Sequence, residues 1–204
     1  RRDLAELNEA FKLKNAKTPQ DLDVPVQTKD QKCIVVGGWT IADASDEQNL
    51  ALFLTGKIAR TRLFKVIREE ENLTYSVSSG FSSTKRLRNM SKFYIYFTAQ
   101  VENAQKAAKM AREVVEQLRD EGPTEAEMNQ VHKQIKNLLE EDLVKPSFWS
   151  SKLANTDLYE TDLDFIENIQ DHYAKVSADD VKKVMQRYFQ DPNFFQVITR
   201  PESK

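Results

Sequence analysis

A change of hydrophobic period between Asn49 and Phe81 constrains the fold of this chain more than any other feature. Apolar residues in the first part recur at helical spacing, and those in the second part alternate with polar residues as in a strand. The helical set is Leu50, Phe53, Leu54, Ile58, Leu63, Phe64 and Ile67, and the strand set is Leu73, Tyr75, Val77 and Phe81. The pattern predicts a long amphipathic helix that leads through a charged turn into a strand, with Arg68 and Tyr75 at the junction.

The rest of the chain predicts an α+β fold with a mixed sheet, helices on one face of the sheet and a helical C-terminal part. Further strands are expected at Cys33–Thr40, Lys92–Val101 and Phe194–Thr199. Further helices are expected at Asn103–Glu121, from Thr124 to about Val144, from Ser147 to about Tyr159, at Phe165–Tyr173 and from Ser177 onward. The small alanines in the helix after Asn103 favour close packing on the sheet.

Short local signals refine these boundaries. Asp43–Asp46 offers N-cap residues for the long helix, and Thr124 with Glu127 forms a T-x-x-E capping box. Ser147 is expected to cap the helix that follows Pro146. The pair Gly37-Gly38 inside a buried strand indicates a bulge or a close backbone approach.

The N-terminal residues form a separate unit in this interpretation. Leu4, Leu7 and Phe11 could share one side of a short helix, and Lys17–Lys32 has two prolines and no period. We therefore predict an N-terminal helix and interdomain linker at 1–32 and a folded domain at 33–204. The linker could connect to a preceding domain or be an ordinary surface extension, and the start at Arg1 without Met favours a fragment of a longer protein.

Composition excludes several classes of function. A formal net charge of -2 gives no electrostatic case for nucleic-acid binding. No apolar run approaches the roughly 20 residues of a membrane span. Cys33 is the single cysteine, so an internal disulfide is excluded, and the compartment stays open.

Catalytic groups are scarce in the sequence. His132 and His172 are the two histidines, they lie far apart along the chain, and neither belongs to a metal-binding motif. Both are interpreted as solvated or structural histidines, and Cys33 as a small core residue. The acidic runs Glu69–Glu71 and Glu140–Asp142 are interpreted as solvated helix faces, because consecutive helical residues point in different directions.

Four segments carry a resemblance to a known family. They are RLFKVIREEENLTYSVSS at 62–79, GPTEAEM at 122–128, VSADDVKKVMQRYF at 176–189 and ITRP at 198–201. In this order they resemble the second-half, non-zinc-binding domain of the pitrilysin/insulinase-type (M16) zinc metallopeptidases, from about Ile34 to Pro201. That family usually has Gly-Leu-Ala or Gly-Leu-Gly where this chain has Asn72-Leu73-Thr74. Asn tolerates a left-handed backbone, so the turn is expected to persist.

The resemblance implies a two-layer fold with a mostly antiparallel sheet, and a function that needs a partner. The family's zinc motif, H-x-x-E-H, lies in the first-half domain, so no metal or catalytic residue is expected in this chain and zinc is expected in the first-half domain of the parent. Arg68 and Tyr75 match an Arg/Tyr pair that contacts substrate at that zinc site. The chain would be inactive alone, and with its first-half partner, in the same chain or another subunit, it would enclose unfolded peptide as part of a zinc-dependent metalloendopeptidase.

Other interpretations stay open. By local reasoning alone, Arg68 could pair with Glu71 and Tyr75 could be half-buried on a strand. The parent could be a catalytically inactive family member that serves as a structural or peptide-binding subunit, or the chain could be a free-standing ferredoxin-like binding module. An exported bacterial member would be periplasmic.

Overall fold

The computed structural model describes residues 19–84, 90–154, 156 and 161–202. These residues contain a five-stranded sheet with the order β1-β5-β2-β4-β3. The strands are β1 (Gln20–Val26), β2 (Lys32–Ile41), β3 (Val77–Ser82), β4 (Ser91–Gln100) and β5 (Phe194–Pro201). Only the β1–β5 pairing is parallel among the described strands; β2 pairs antiparallel with β4 and β5, and β3 with β4. The predicted α+β fold with a mixed, mostly antiparallel sheet is confirmed.

The described residues form seven α-helices, of which the first, second and seventh pack on one face of the sheet. They are α1 (Asp46–Leu63), which continues as a π-helical segment (Phe64–Glu70), α2 (Ala104–Glu121), α3 (Glu125–Leu143), α4 (Pro146–Leu153), α5 (Leu163–Glu167), α6 (Ile169–Lys175) and α7 (Ala178–Tyr188). A 3-10 turn at Asp191–Asn193 leads into β5. None of the helices in the described ranges is both long and apolar enough to cross a membrane.

Strand alternation separates the two faces of the sheet. On the helix side Val35 and Phe97 are buried, whereas on the other side Ile34 and Tyr96 remain 39% and 42% exposed. Trp39 anchors the buried side, since its ring stacks on Phe189 at a centroid distance of 4.9 Å. The four alanines of α2 at 104, 107, 108 and 111 are all buried, as the sequence predicted.

Capping residues set the start of three helices. Ser45, Thr124 and Ser177 each accept a hydrogen bond from the backbone N–H three residues later, and that residue's side chain accepts one from the N-cap N–H in return. Each box satisfies two donors that the helix itself leaves unpaired. The predicted Thr124–Glu127 box is thereby confirmed, and Ser45 lies within the predicted Asp43–Asp46 region.

The structure corrects the prediction that Lys17–Lys32 is irregular. Gln20–Val26 forms β1, whose backbone pairs in parallel with Phe195–Pro201 of β5. The sequence pattern did not reveal this strand because it contains a proline and two aspartates, which are rare in strands. An edge strand tolerates Pro25 because the backbone N–H that proline lacks is not needed on the unpaired side. The division of the chain at residue 33 into two units remains a prediction.

Three further boundaries differ from prediction. The strand predicted from Leu73 begins only at Val77, so Tyr75 precedes it. Ser147 is not the cap of α4, because Pro146 occupies the first turn and Lys145 is the N-cap. The single helix predicted at Phe165–Tyr173 is divided into α5 and α6 at Asn168.

Some predictions fall outside the described residues. These are the short helix through Leu4, Leu7 and Phe11 and the end of the helix predicted near Tyr159.

The predicted close backbone approach at Gly37-Gly38 is found at Gly38. A Cβ atom at Gly38 would lie 2.0 Å from the carbonyl oxygen of Phe93, whereas one at Gly37 would lie 3.7 Å from its nearest neighbour, the carbonyl oxygen of Phe195. Of the two glycines, Gly38 is therefore the one that has no room for a side chain.

We predict that Gly38→Ala lowers the free energy of unfolding by about 2 kcal/mol or more, because overpacking forces backbone shifts in the central strand pair. Gly37→Ala is the matched control and should change it by less than about 1 kcal/mol. Urea denaturation of both variants measures the difference, and equal stabilities would contradict the contact.

Arg62 links α1 to the turn between α2 and α3. Its Nε and Nη2 atoms donate to Glu127 Oε1 and Oε2 at 2.6 and 2.8 Å, and Nη2 also donates to the Gly122 carbonyl oxygen at 3.2 Å. The Arg62 guanidinium holds the pKa of Glu127 at about 2, below its ordinary value. Glu127 thus caps α3 and fastens it to α1.

We predict that Glu127→Gln lowers the free energy of unfolding by about 1–3 kcal/mol at pH 7, because it leaves Arg62 without a charged partner. A carboxyl with a lowered folded-state pKa stabilises above its unfolded pKa, and this stabilisation is lost as pH falls toward about 2. The two proteins should therefore converge in stability in acid. Asp179→Asn, which removes an exposed ion pair to Lys183, is the control and should have little effect at either pH.

Candidate substrate-contact site

The backbone that carries Arg68 and Tyr75 departs from regular structure. After Leu63 the helix widens into the π-helical segment, and the N–H of Glu71 donates to the carbonyl oxygen of Val66 at 3.1 Å. Asn72 then adopts a φ of 50°, which confirms the expected left-handed turn. The N–H of Leu73 donates back to Ile67 at 2.9 Å, so the chain reverses direction within a few residues before β3.

This turn brings the Arg68 and Tyr75 side chains together. The guanidinium carbon Cζ of Arg68 lies 5.3 Å from the ring centroid of Tyr75 and 4.4 Å from that of Phe64. Both distances suit attraction between a cation and an aromatic face. Arg68 is partly buried, whereas Tyr75 is 80% exposed. The pair therefore presents one permanent charge and one phenol at the surface.

The local alternatives for these two residues are wrong. Glu71 pairs with Lys106 at 2.8 Å and Glu70 with Lys65 at 3.9 Å, so neither carboxylate pairs with Arg68. Within the described part of the chain, Arg68 has no ion-pair or hydrogen-bond partner. Tyr75 is neither half-buried nor on a strand.

The remaining candidate groups are dispersed. The His172 ring lies 4.4 Å from the Phe165 ring, and His132 is partly buried on α3, with an Nε2 atom that has no hydrogen-bond partner in the described ranges. Cys33 is buried in β2, and its desolvation raises the pKa of the thiol. No three His, Cys, Asp or Glu side chains come together as a metal site among residues that the structure describes.

A cavity of about 510 Å³ lies at the opposite end of α1, between α1, α3 and the short helices α4, α5 and α6. Its lining is largely apolar and includes Phe53, Phe165 and Tyr173. Burial there raises the pKa of Tyr173 to about 12, so this phenol stays neutral. The helical rise puts this end roughly 25 Å from Arg68, so the cavity is separate from the Arg68–Tyr75 pair.

Comparison with protein families identifies the chain. The family sequence model described as the peptidase M16 inactive domain matches residues 5–135. The chain belongs to the M16 peptidase family. The resemblance seen in the sequence is thereby confirmed. A comparison with curated protein sequences finds no match.

Solved structures share the fold of this M16 domain. The M16 inactive domain from Pseudomonas fluorescens has a TM-score of 0.75 at 19% identity and covers 92% of this chain and 44% of its own. A protease from Helicobacter pylori has a TM-score of 0.79 at 17% identity, with 92% and 45% covered. The periplasmic protease PqqL from Escherichia coli has a TM-score of 0.77 at 18% identity, with 92% and 21% covered. The chain spans less than half the length of each of these three proteins.

Sequence reasoning missed two contacts of this M16 domain. Phe64 was assigned to the hydrophobic stripe of α1, although its spacing of four residues from Arg68 predicts a contact on one helix face. The pairing of Arg62 with Glu127 joins two of the family-like segments across 65 residues, and no local signal reveals it.

We predict that the isolated M16 domain does not bind zinc stoichiometrically, because the described residues bring no set of metal ligands together. Elemental analysis of the purified chain after dialysis against zinc would measure the ratio. An M16 protein that carries an H-x-x-E-H motif is the positive control, and one tightly held zinc per chain would contradict the prediction.

Proposed function

We propose that this M16 domain closes against a zinc-bearing first-half domain and that Arg68 and Tyr75 contact the peptide substrate there. The partner, in the same polypeptide or another subunit, would carry the H-x-x-E-H motif. The observation that supports the proposal is the surface pair itself. In the described ranges the permanent charge of Arg68 has no ion-pair or hydrogen-bond partner, and Tyr75 is largely exposed beside it.

The chemistry of the two side chains fits a peptide carbonyl group. A zinc ion in the partner would supply the activated water. The Arg68 guanidinium presents several N–H donors in a fixed fork, and the Tyr75 hydroxyl adds a neutral donor. Donors held ready at the carbonyl oxygen would stabilise the negative charge that develops as water attacks.

The same chemistry favours an unfolded substrate. Carbonyl groups within folded proteins are nearly all hydrogen-bonded already, so a pair that binds a backbone carbonyl needs an extended or unfolded segment. We therefore infer that this domain helps to enclose an unfolded peptide and that the complete protein is a zinc-dependent metalloendopeptidase.

In the protein that contains both halves, we predict that Arg68→Lys lowers kcat by about 10- to 1000-fold, because lysine lacks the planar fork that holds the oxyanion. Tyr75→Phe should lower it by about 10-fold or more through loss of one donor. Bound zinc should stay unchanged in both variants. Steady-state kinetics on an unstructured peptide, together with zinc analysis, gives the readout.

Two matched controls make the same substitutions outside the proposed site. Arg60→Lys alters an exposed arginine of α1, and Tyr96→Phe alters a tyrosine on the open sheet face. Both should retain normal turnover. Loss of zinc in Arg68→Lys would assign Arg68 a structural role, and a partner domain without H-x-x-E-H would favour a non-catalytic, peptide-binding subunit instead.

A further inference from the structure

The Phe64 ring lies between the protein core and the Arg68 guanidinium. One part of Phe64 packs against the buried hydrophobic cluster, and its ring centroid is 4.4 Å from Arg68 Cζ. Tyr75 contacts the same guanidinium at 5.3 Å but is 80% exposed. Of the two rings, that of Phe64 is therefore the one that packing against the core holds in place.

The backbone around Phe64 and Arg68 is also unusual. Both residues belong to the π-helical segment, and the left-handed residue Asn72 follows its C-cap, Glu71. Isolated π-helical turns are rare and occur frequently at functional sites. A backbone that leaves the α-helical register at this point determines the direction in which the Arg68 side chain leaves the helix.

The described acidic side chains near Arg68 do not pair with it, so the aromatic rings are the groups that hold its guanidinium. Of the three glutamates that follow Arg68, Glu70 pairs with Lys65 and Glu71 with Lys106. Glu69 forms no ion pair with Arg68 within the described ranges. Among the described residues, the guanidinium of Arg68 has no hydrogen bond or ion pair, and the Phe64 and Tyr75 rings lie within cation–π distance of it. Aromatic faces attract a cation without using its N–H donors, so those donors stay available to a ligand.

We propose that Phe64 is a positioning residue, which orients the Arg68 guanidinium toward substrate through a cation–π contact. The inference rests on the proposed function of Arg68. An ion pair would compete with substrate for the same donors, whereas the Phe64 ring restrains the side chain and leaves every donor free. The contact thus prepares Arg68 before the peptide binds.

The first test needs only this chain. Aromatic rings shift the resonances of protons that lie over their faces, so NMR should find the Arg68 Hδ protons displaced from the values of Arg60, the exposed control on α1. Because the Tyr75 ring also lies over this guanidinium, the comparison is made in a Tyr75→Leu background. There Phe64→Leu and Phe64→Met should both abolish the displacement, and Phe64→Tyr should retain it. Two ring-free variants are used so that a folding defect in one leaves the other as the test. Displacement that survives in both ring-free variants would overturn the proposal.

The second test uses the protein with both halves. Phe64→Leu should lower kcat by about 10- to 100-fold with KM changed less than about threefold, because misplacing a catalytic group mainly affects the transition state. Phe64→Tyr should restore turnover. If Phe64→Leu leaves kcat unchanged while Arg68→Lys lowers it, the positioning role of Phe64 is overturned and the proposed function of Arg68 stands. Normal turnover in Arg68→Lys would instead refute the proposed function, while the NMR result would still report on the contact.

Discussion

A direct backbone contact between α1 and β3 sets the geometry of the Arg68–Tyr75 site. A Cβ atom at Gly56 would lie only 2.8 Å from the Cα of Gly80, and the Ser79 hydroxyl donates to the Gly56 carbonyl oxygen at 2.9 Å. No side chain separates helix from strand where they cross, so both are held at backbone distance. The turn that joins them, with its π-helical and left-handed residues, is consequently restrained on both sides.

Two arginines of the same helical region differ in the partners that the fold gives them. Arg62 makes a bidentate pair with Glu127 and reaches the Gly122 carbonyl oxygen, and so fastens α1 to the start of α3. Arg68 lies six residues later, directly before three glutamates. Two of them, Glu70 and Glu71, pair with lysines, and in the described ranges Glu69 forms no ion pair with Arg68. Within the described residues, the fold therefore gives one guanidinium a carboxylate partner and places two aromatic faces, with no carboxylate partner, beside the other. A cation held in this way is suited to an acceptor from outside the domain.

Much of the fold follows from local pattern, and the failures have a common cause. Helical and alternating spacing predicted α1, β2, β4, α2 and α7, and short capping signals marked the starts of α3 and α7. β1 was missed because its pairing with β5 spans 175 residues, as the Gln196–Asp21 hydrogen bond shows. The strand start predicted at Leu73 was wrong, because the π-helical end and the left-handed Asn72 delay the strand to Val77.

The sequence by itself determined the helix-to-strand succession, the left-handed turn at Asn72, the family and the choice of Arg68 and Tyr75 as candidates. These depend on residues that are close along the chain, where spacing and backbone preference act directly. Only the tertiary structure decided that β1 joins the sheet, that Glu127 belongs to Arg62 and that Phe64 lies against the Arg68 guanidinium. Such pairings depend on which polar and apolar groups are buried together when distant segments pack, and this is a property of the folded chain.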